Sequence, residues 1–102
     1  MKQNTSKEQT QYLIELGFPK PQSITYGDNY AEIVYRYSIG ELISFLESYV
    51  EDATDELLIW KDSIFWHTRL TSDNVGSGCD VELINALYNY LVELKEYEAE
   101  HD

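Results

Sequence analysis

His67 and Cys79 are the pair of side chains in this sequence whose types alone could support nucleophilic catalysis. A cysteine attacks as its thiolate, so it needs a base beside it and an electropositive setting. The chain offers the opposite setting. Nineteen carboxylates stand against 7 lysines and arginines, a formal charge of −12 over 102 residues, and Asp80 follows Cys79 directly. This balance weighs against an enzyme; the plain reading is an idle cysteine at a helix start and a strand histidine. Glu47, Glu51, Asp52, Asp55 and Glu56 crowd together oxygen donors of the kind a hard cation takes. The usual calcium loop alternates its ligands around a sharp glycine turn, and residues 47–56 have neither feature. These five carboxylates are expected instead to form a solvated acidic helix end and linker, and they are the candidate contact residues for a partner. Gly76-Ser77-Gly78 ahead of a helix has the composition of an anion cradle. No lysine follows it, however, and Asp80 would repel a phosphate. Trp60, Phe65 and Trp66 could stack on bases, but single-strand binders set such rings in a basic groove, and only Lys61 and Arg69 are near.

The negative charge is unevenly spread. Between Tyr37 and Trp60 there is no lysine or arginine, and from Leu70 onward eight carboxylates share the chain with Lys95 alone. Such a surface repels polyphosphate and anionic lipid, which disfavours direct binding of nucleic acid or a membrane face. The partner that fits is a basic protein. A non-enzymatic accessory or protein-interaction domain without cofactor is therefore the first expectation, and a nucleic-acid-mimicking inhibitor of a basic host protein the alternative. Cys79 is the sole cysteine, so no internal disulfide or multi-cysteine metal site can form. Met1–Gln9 is polar, unlike a signal peptide, and no run approaches the ~18 apolar residues of a membrane span. A cytoplasmic protein follows as an expectation.

Positioning elements can be read from caps and periodicity. Hydrophobic content of 43%, with 14% aromatic residues, argues for a folded chain, and the length suits a single domain over residues 1–102. Thr5 with Glu8, or Ser6 with Gln9, can open a first helix over about 6–16. Gly17 then supplies a left-handed cap, and Pro19 and Pro21 block continuation. Ile33, Tyr35 and Tyr37 alternate with Glu32, Val34 and Arg36, so residues 23–26 and 31–37 are expected to pair around the turn at Gly27-Asp28-Asn29. Ser38 and Glu41 form the next capping box, for a helix over about 39–51 whose outer face carries Glu41, Glu47 and Glu51. A second hairpin is expected over residues 56–70. A two-residue loop at Lys61-Asp62 would pair Ile59 with Ile64, although a longer loop and shifted register remain open without a turn glycine. Residues 71–79 then read as a flexible loop, and Ser77 or Asp80 as the cap of a third helix reaching about residue 96. Residues 1–5 and 97–102 are expected to fray. The result is an α+β domain of order α-ββ-α-ββ-α, a small antiparallel sheet from two hairpins with helices packed on it.

Glu41-Leu42-Ile43, Leu46 and Tyr49 recur as Glu82-Leu83-Ile84, Leu87 and Tyr90 at an offset of 41, each set after a hairpin. Amphipathic helices share such patterns by necessity, so the repeat need not be a duplication. The opening Leu13-Ile14-Glu15-Leu16-Gly17-Phe18-Pro19-Lys20-Pro21 resembles that of small uncharacterised proteins of Bacteroidetes genomes and their phages or mobile elements. Tyr37-Ser38-Ile39-Gly40-Glu41-Leu42-Ile43 and Glu82-Leu83-Ile84-Asn85-Ala86-Leu87-Tyr88 resemble the same group, as do the two Trp-bearing strands. The resemblance implies a bacterial or phage origin. Its motifs are caps and packing stripes, and it lends no catalytic residues.

Overall fold

The computed structural model describes residues 2–27, 32–73 and 76–100. Its order is α1 (Lys7–Glu15), β1 (Ile24–Tyr26), β2 (Ile33–Tyr35), α2 (Ile39–Glu47), β3 (Leu57–Lys61), β4 (Trp66–Leu70), β5 (Gly78–Asp80) and α3 (Leu83–Glu100). This is the α-ββ-α-ββ-α order that the caps and periodicity suggest, with one short strand added before the last helix. The hairpins build two sheets, β1-β2 and β3-β4-β5, antiparallel throughout.

Of the two capping boxes open to α1, the chain uses Ser6 with Gln9. The Ser6 hydroxyl accepts from the Gln9 N–H at 3.1 Å, and the Gln9 side-chain oxygen accepts from the Ser6 N–H at 2.9 Å. Two donors that a helix start leaves orphaned are thereby satisfied together. At the other end Gly17 adopts φ 101°, a conformation costly for any residue with a Cβ. The Phe18 N–H then reaches back to Leu13 O and the Gly17 N–H to Ile14 O, the paired bonds of a Schellman cap. Phe18 is thus turned inward and stacks on Phe45, ring centroids 5.2 Å apart.

Thr5 is anchored ahead of α1. Thr5 is buried; its N–H donates to Tyr37 O at 2.9 Å and its hydroxyl accepts from the Tyr37 N–H at 3.1 Å. The Thr10 hydroxyl donates to Ser6 O, so the Thr5 hydroxyl donates to Thr10, at 2.7 Å. These bonds tie Thr5 to the residue that leads into α2. At the opposite end α3 continues to Glu100, four residues beyond its expected limit.

Helix α2 stops at Glu47, short of the expected 51. Its last turn tightens: Tyr49 N–H bonds Leu46 O and Val50 N–H bonds Glu47 O, each three residues back. Glu41 is also not on an outer face. Its carboxylate accepts from the Ser38 N–H and the Gln22 N–H and is bonded to the Ser23 hydroxyl, fastening the segment before β1 to the head of α2. Burial alone would raise its pKa, but these hydrogen bonds prevail and hold it below the usual carboxylate value.

In the second sheet Lys61 pairs with Trp66, Trp60 with His67 and Ile59 with Thr68. The loop therefore has four residues, 62–65, and the register is shifted from the Ile59–Ile64 pairing. Asp62 sets it, since its side chain accepts from the N–H groups of Ile64 and Phe65 at 2.8 and 2.7 Å while its own N–H donates to Phe65 O. Gly78 and Cys79, expected as loop, and Asp80, expected as a helix cap, pair with β4. A Cβ at Gly78 would lie 2.0 Å from Ala86 O and 2.8 Å from the Tyr90 Cβ, so only glycine lets this strand press against α3.

The core sits between α3, the inner face of β4 and the buried side of α2. Leu13, Tyr37, Leu42, Leu46, Leu70, Ile84, Leu87, Tyr90 and Leu91 form it. Each buried leucine is worth about 1.5–3 kcal/mol relative to exposure.

Candidate functional site

The five carboxylates singled out from the sequence separate into different roles. Glu47, at the end of α2, is exposed, as are Glu51 and Glu56. Asp52 is exposed but turned onto its own loop, where it accepts from the Thr54 N–H at 2.8 Å and hydroxyl at 2.6 Å. Asp55 is buried and accepts from the Thr71 hydroxyl and the Ser72 N–H, both at 2.9 Å. Desolvation pushes its pKa up, yet the bonds from Ser72 and Thr71 outweigh it and the net shift is downward. Asp55 therefore pins the 51–56 linker to the end of β4 and presents little surface to a partner. Its bonding partners lie 16 and 17 residues away in sequence, so nothing local to it announces this role.

What the fold does assemble is a groove of about 1000 Å³ between the end of α2, the segment after β4 and the carboxy-terminal half of α3. Glu51, Asp73, Glu93 and Glu98 line it, and Lys95 is its only cation among the described residues. The groove joins Glu51 to Glu93 and Glu98 and adds Asp73. Tyr49 and Tyr97 line it, and two further tyrosines bond carboxylates in and near it. Tyr90 is fully buried, donating its hydroxyl to Asp73 at 2.7 Å and accepting from the Leu70 N–H at 2.9 Å. Burial drives its pKa far up, and the bond to Asp73 adds to this. Tyr49 donates to Glu98 at 3.0 Å, and burial first, then this bond, push its pKa up to about 12. Tyr12 donates to Glu96 on the neighbouring turn. The Lys95 ammonium lies 5.4 Å above the Phe18 ring, held over an aromatic face at the rim.

The charge asymmetry is sharper than the two carboxylate-rich stretches alone convey. Residues 1–40 hold four basic and four acidic side chains, whereas residues 41–102 hold three basic and fifteen acidic ones. The whole formal surplus of −12 thus lies in the part of the chain that builds the groove. A concave, partly apolar wall with converging carboxylates suits a lysine or arginine side chain, whose stem packs while its head is paired.

His67 and Cys79 are cross-strand partners on β4 and β5. The histidine is committed elsewhere: Nε2 lies 2.7 Å from the Asp62 carboxylate and the ring stacks on Trp60, centroids 5.1 Å apart. Cys79 is exposed, and among the described residues no hydrogen bond joins it to His67. Trp66 lies under Lys61, whose ammonium is 5.7 Å from the ring centroid. Asp80 caps α3 from outside the helix, accepting from the Glu82 N–H at 2.9 Å. Among the described residues no cluster of three or more His, Cys, Asp or Glu is placed to hold a metal ion, and no helix is long and apolar enough to cross a membrane. No protein-family model, curated protein or solved structure matches the chain.

Proposed function

We propose that this chain is a non-enzymatic protein-interaction domain of a cytoplasmic bacterial or phage protein, and that it receives a basic protein segment in the acidic groove. The observation that carries the reading is the convergence of Glu51, Asp73, Glu93 and Glu98 on one concave surface facing a single lysine. Isolated surface carboxylates contribute little to binding, but several converging ones steer a cationic partner and fix its register. Imitation of nucleic acid would need carboxylates in a free row. Glu96 is held by Tyr12, and Glu98 and Asp73 by Tyr49 and Tyr90, so the groove offers a cluster of carboxylates, some already accepting a hydroxyl, rather than such a row.

Titration with a fluorescent oligolysine peptide tests this. Binding is expected to be measurable at ~50 mM salt and to fall steeply by ~300 mM, because exposed charges are screened over about 10 Å at 0.1 M ionic strength. The triple substitution Glu51→Gln, Glu93→Gln, Glu98→Gln should weaken it by ~10-fold, at up to about 1 kcal/mol per exposed pair. Glu8→Gln with Glu15→Gln, on α1, should leave it unchanged. Equal loss from both sets of substitutions would show a diffuse charge effect and remove the groove from the account.

A further inference from the structure

We infer that the exposed face of the β1-β2 hairpin is a dimerisation surface for two copies of this chain. Ile24, Tyr26, Ile33 and Tyr35 share that face and are 59, 64, 67 and 59% exposed. The register pairs Ile24 with Tyr35 and Tyr26 with Ile33, so four large side chains form one contiguous block. A two-stranded hairpin is marginal by itself, and an apolar block of a few hundred Å² on a soluble chain marks a contact surface. These four residues bring on the order of 500 Å² per copy, so two copies reach about 1,000 Å², the lower bound for a specific interface.

Two observations favour a second copy over another protein. The first is shape. Each strand reads Ile-x-Tyr in its own direction, so the tyrosines occupy one diagonal of the block and the isoleucines the other. Turning a second hairpin over, about an axis lying in the interface plane, sets every tyrosine above an isoleucine. A large residue then meets a smaller one at all four positions, the alternation that facing sheets need to interdigitate. A two-fold axis in the plane is also the operation that generates a closed dimer. The second is charge. Two chains of −12 repel, and the hairpin lies in the stretch 1–40 where acidic and basic side chains are equal in number. Contact through it keeps the acidic residues 41–102 out of the interface. Tyr35, at the edge of the block, also lines a groove with Val34, Arg36, Lys7 and Lys20.

Sedimentation velocity of the full chain from about 5 to 300 µM, at ~50 and ~500 mM salt, decides the matter. The expected result is a monomer–dimer equilibrium that tightens at high salt, as repulsion between the acidic parts is screened. Ile33→Lys should weaken dimerisation at least ~10-fold, because it buries a charge at the centre of the block. Trp60→Lys, on the other sheet, should not weaken it. Near-ultraviolet circular dichroism reports whether each variant is folded; if Ile33→Lys is not, Ile33→Ala takes its place with the same direction of effect. A monomer at every concentration and salt overturns the inference, as does a dimer indifferent to position 33. Oligolysine binding has the opposite salt dependence and should survive Ile33→Lys, so either proposal can fail without the other.

Discussion

Two hairpin-then-helix units follow one another in this chain, β1-β2-α2 over residues 24–47 and β3-β4-β5-α3 over residues 57–100. In the second, α3 lies directly on β4 and β5, burying Thr68, Leu70 and Gly78 beneath Leu83, Leu87 and Tyr90. In the first, α2 does not cover its own hairpin. Its buried leucines, Leu42 and Leu46, pack with α3 instead, and the hairpin keeps an apolar face in solvent. Length explains part of this. At 1.5 Å per residue the nine residues of α2 span about 14 Å and the 18 of α3 about 27 Å, so only α3 can serve a sheet and a second helix together. The third strand explains the rest, since β5 widens the second sheet and glycine lets it reach the helix. The same apolar spacing therefore yields a closed layer in one unit and an open face in the other.

That contrast can be broken most sharply at Gly78. Gly78→Ala places a methyl group 2.0 Å from Ala86 O, which is backbone and cannot give way cheaply. A loss of ~3 kcal/mol is expected, at the upper end for overpacking, and it should lower the melting midpoint by more than 10 °C in a domain of this size. Ile33→Ala, in the exposed face of the first unit, should change monomer stability by less than ~0.5 kcal/mol. Thermal melts of dilute protein measure both. Similar losses at the two positions would mean that the hairpin face is covered within the monomer.

How much of this was legible beforehand differs between the units for physical reasons. Caps are local, so Ser6 with Gln9, Gly17, and Ser38 with Glu41 announce themselves within four residues, and the element order follows from them. Strand β5 was not legible. Gly-Ser-Gly composition reads as flexibility, whereas Gly78 is there for contact with a helix eight residues further on. Alternation at Ile33 and Tyr35 was visible too, but periodicity identifies a face without saying that anything covers it. The candidate site was legible in charge and not in geometry. Glu51, Glu93 and Glu98 meet only through the α2–α3 packing, and Asp55 leaves the surface because Thr71 and Ser72 come back to it.

Tyr90 sharpens the comparison of the paired helices. It follows Tyr49 at the offset of 41, but Tyr49 lies just past the end of α2; Tyr90 is fully buried and bridges the Leu70 N–H to Asp73, while Tyr49 is half-buried and donates to Glu98. Tyr90→Phe strands a buried backbone donor and should cost about 1–3 kcal/mol; Tyr49→Phe should cost about 1 kcal/mol or less. Urea titrations of the two variants give the difference. Equal costs would indicate that the bond from the Leu70 N–H to Tyr90 contributes nothing beyond what Tyr49 gains from Glu98.

The smallest expected effect lies at the turn of the second hairpin, which Asp62 holds. The N–H groups of Phe65 and Ile64 bond its carboxylate first of all, and His67 adds to them, so its pKa falls to about 2 from an ordinary 3.8. A depressed carboxylate pKa stabilises the fold only while the group is ionised. The contribution is fully present above about pH 4 and disappears as pH falls toward 2, because the folded form then resists taking up a proton that the unfolded chain accepts readily. Asp62→Asn keeps an oxygen for the two N–H groups but cannot titrate. Its stability should lie below that of the parent at pH 5–7, and the gap should narrow steadily from pH 4 to pH 2. Chemical denaturation across that range, followed by Trp60 and Trp66 fluorescence in the same sheet, reads it directly. A gap that stays constant with pH would show that the charge on Asp62 contributes nothing and that its turn is held by geometry alone.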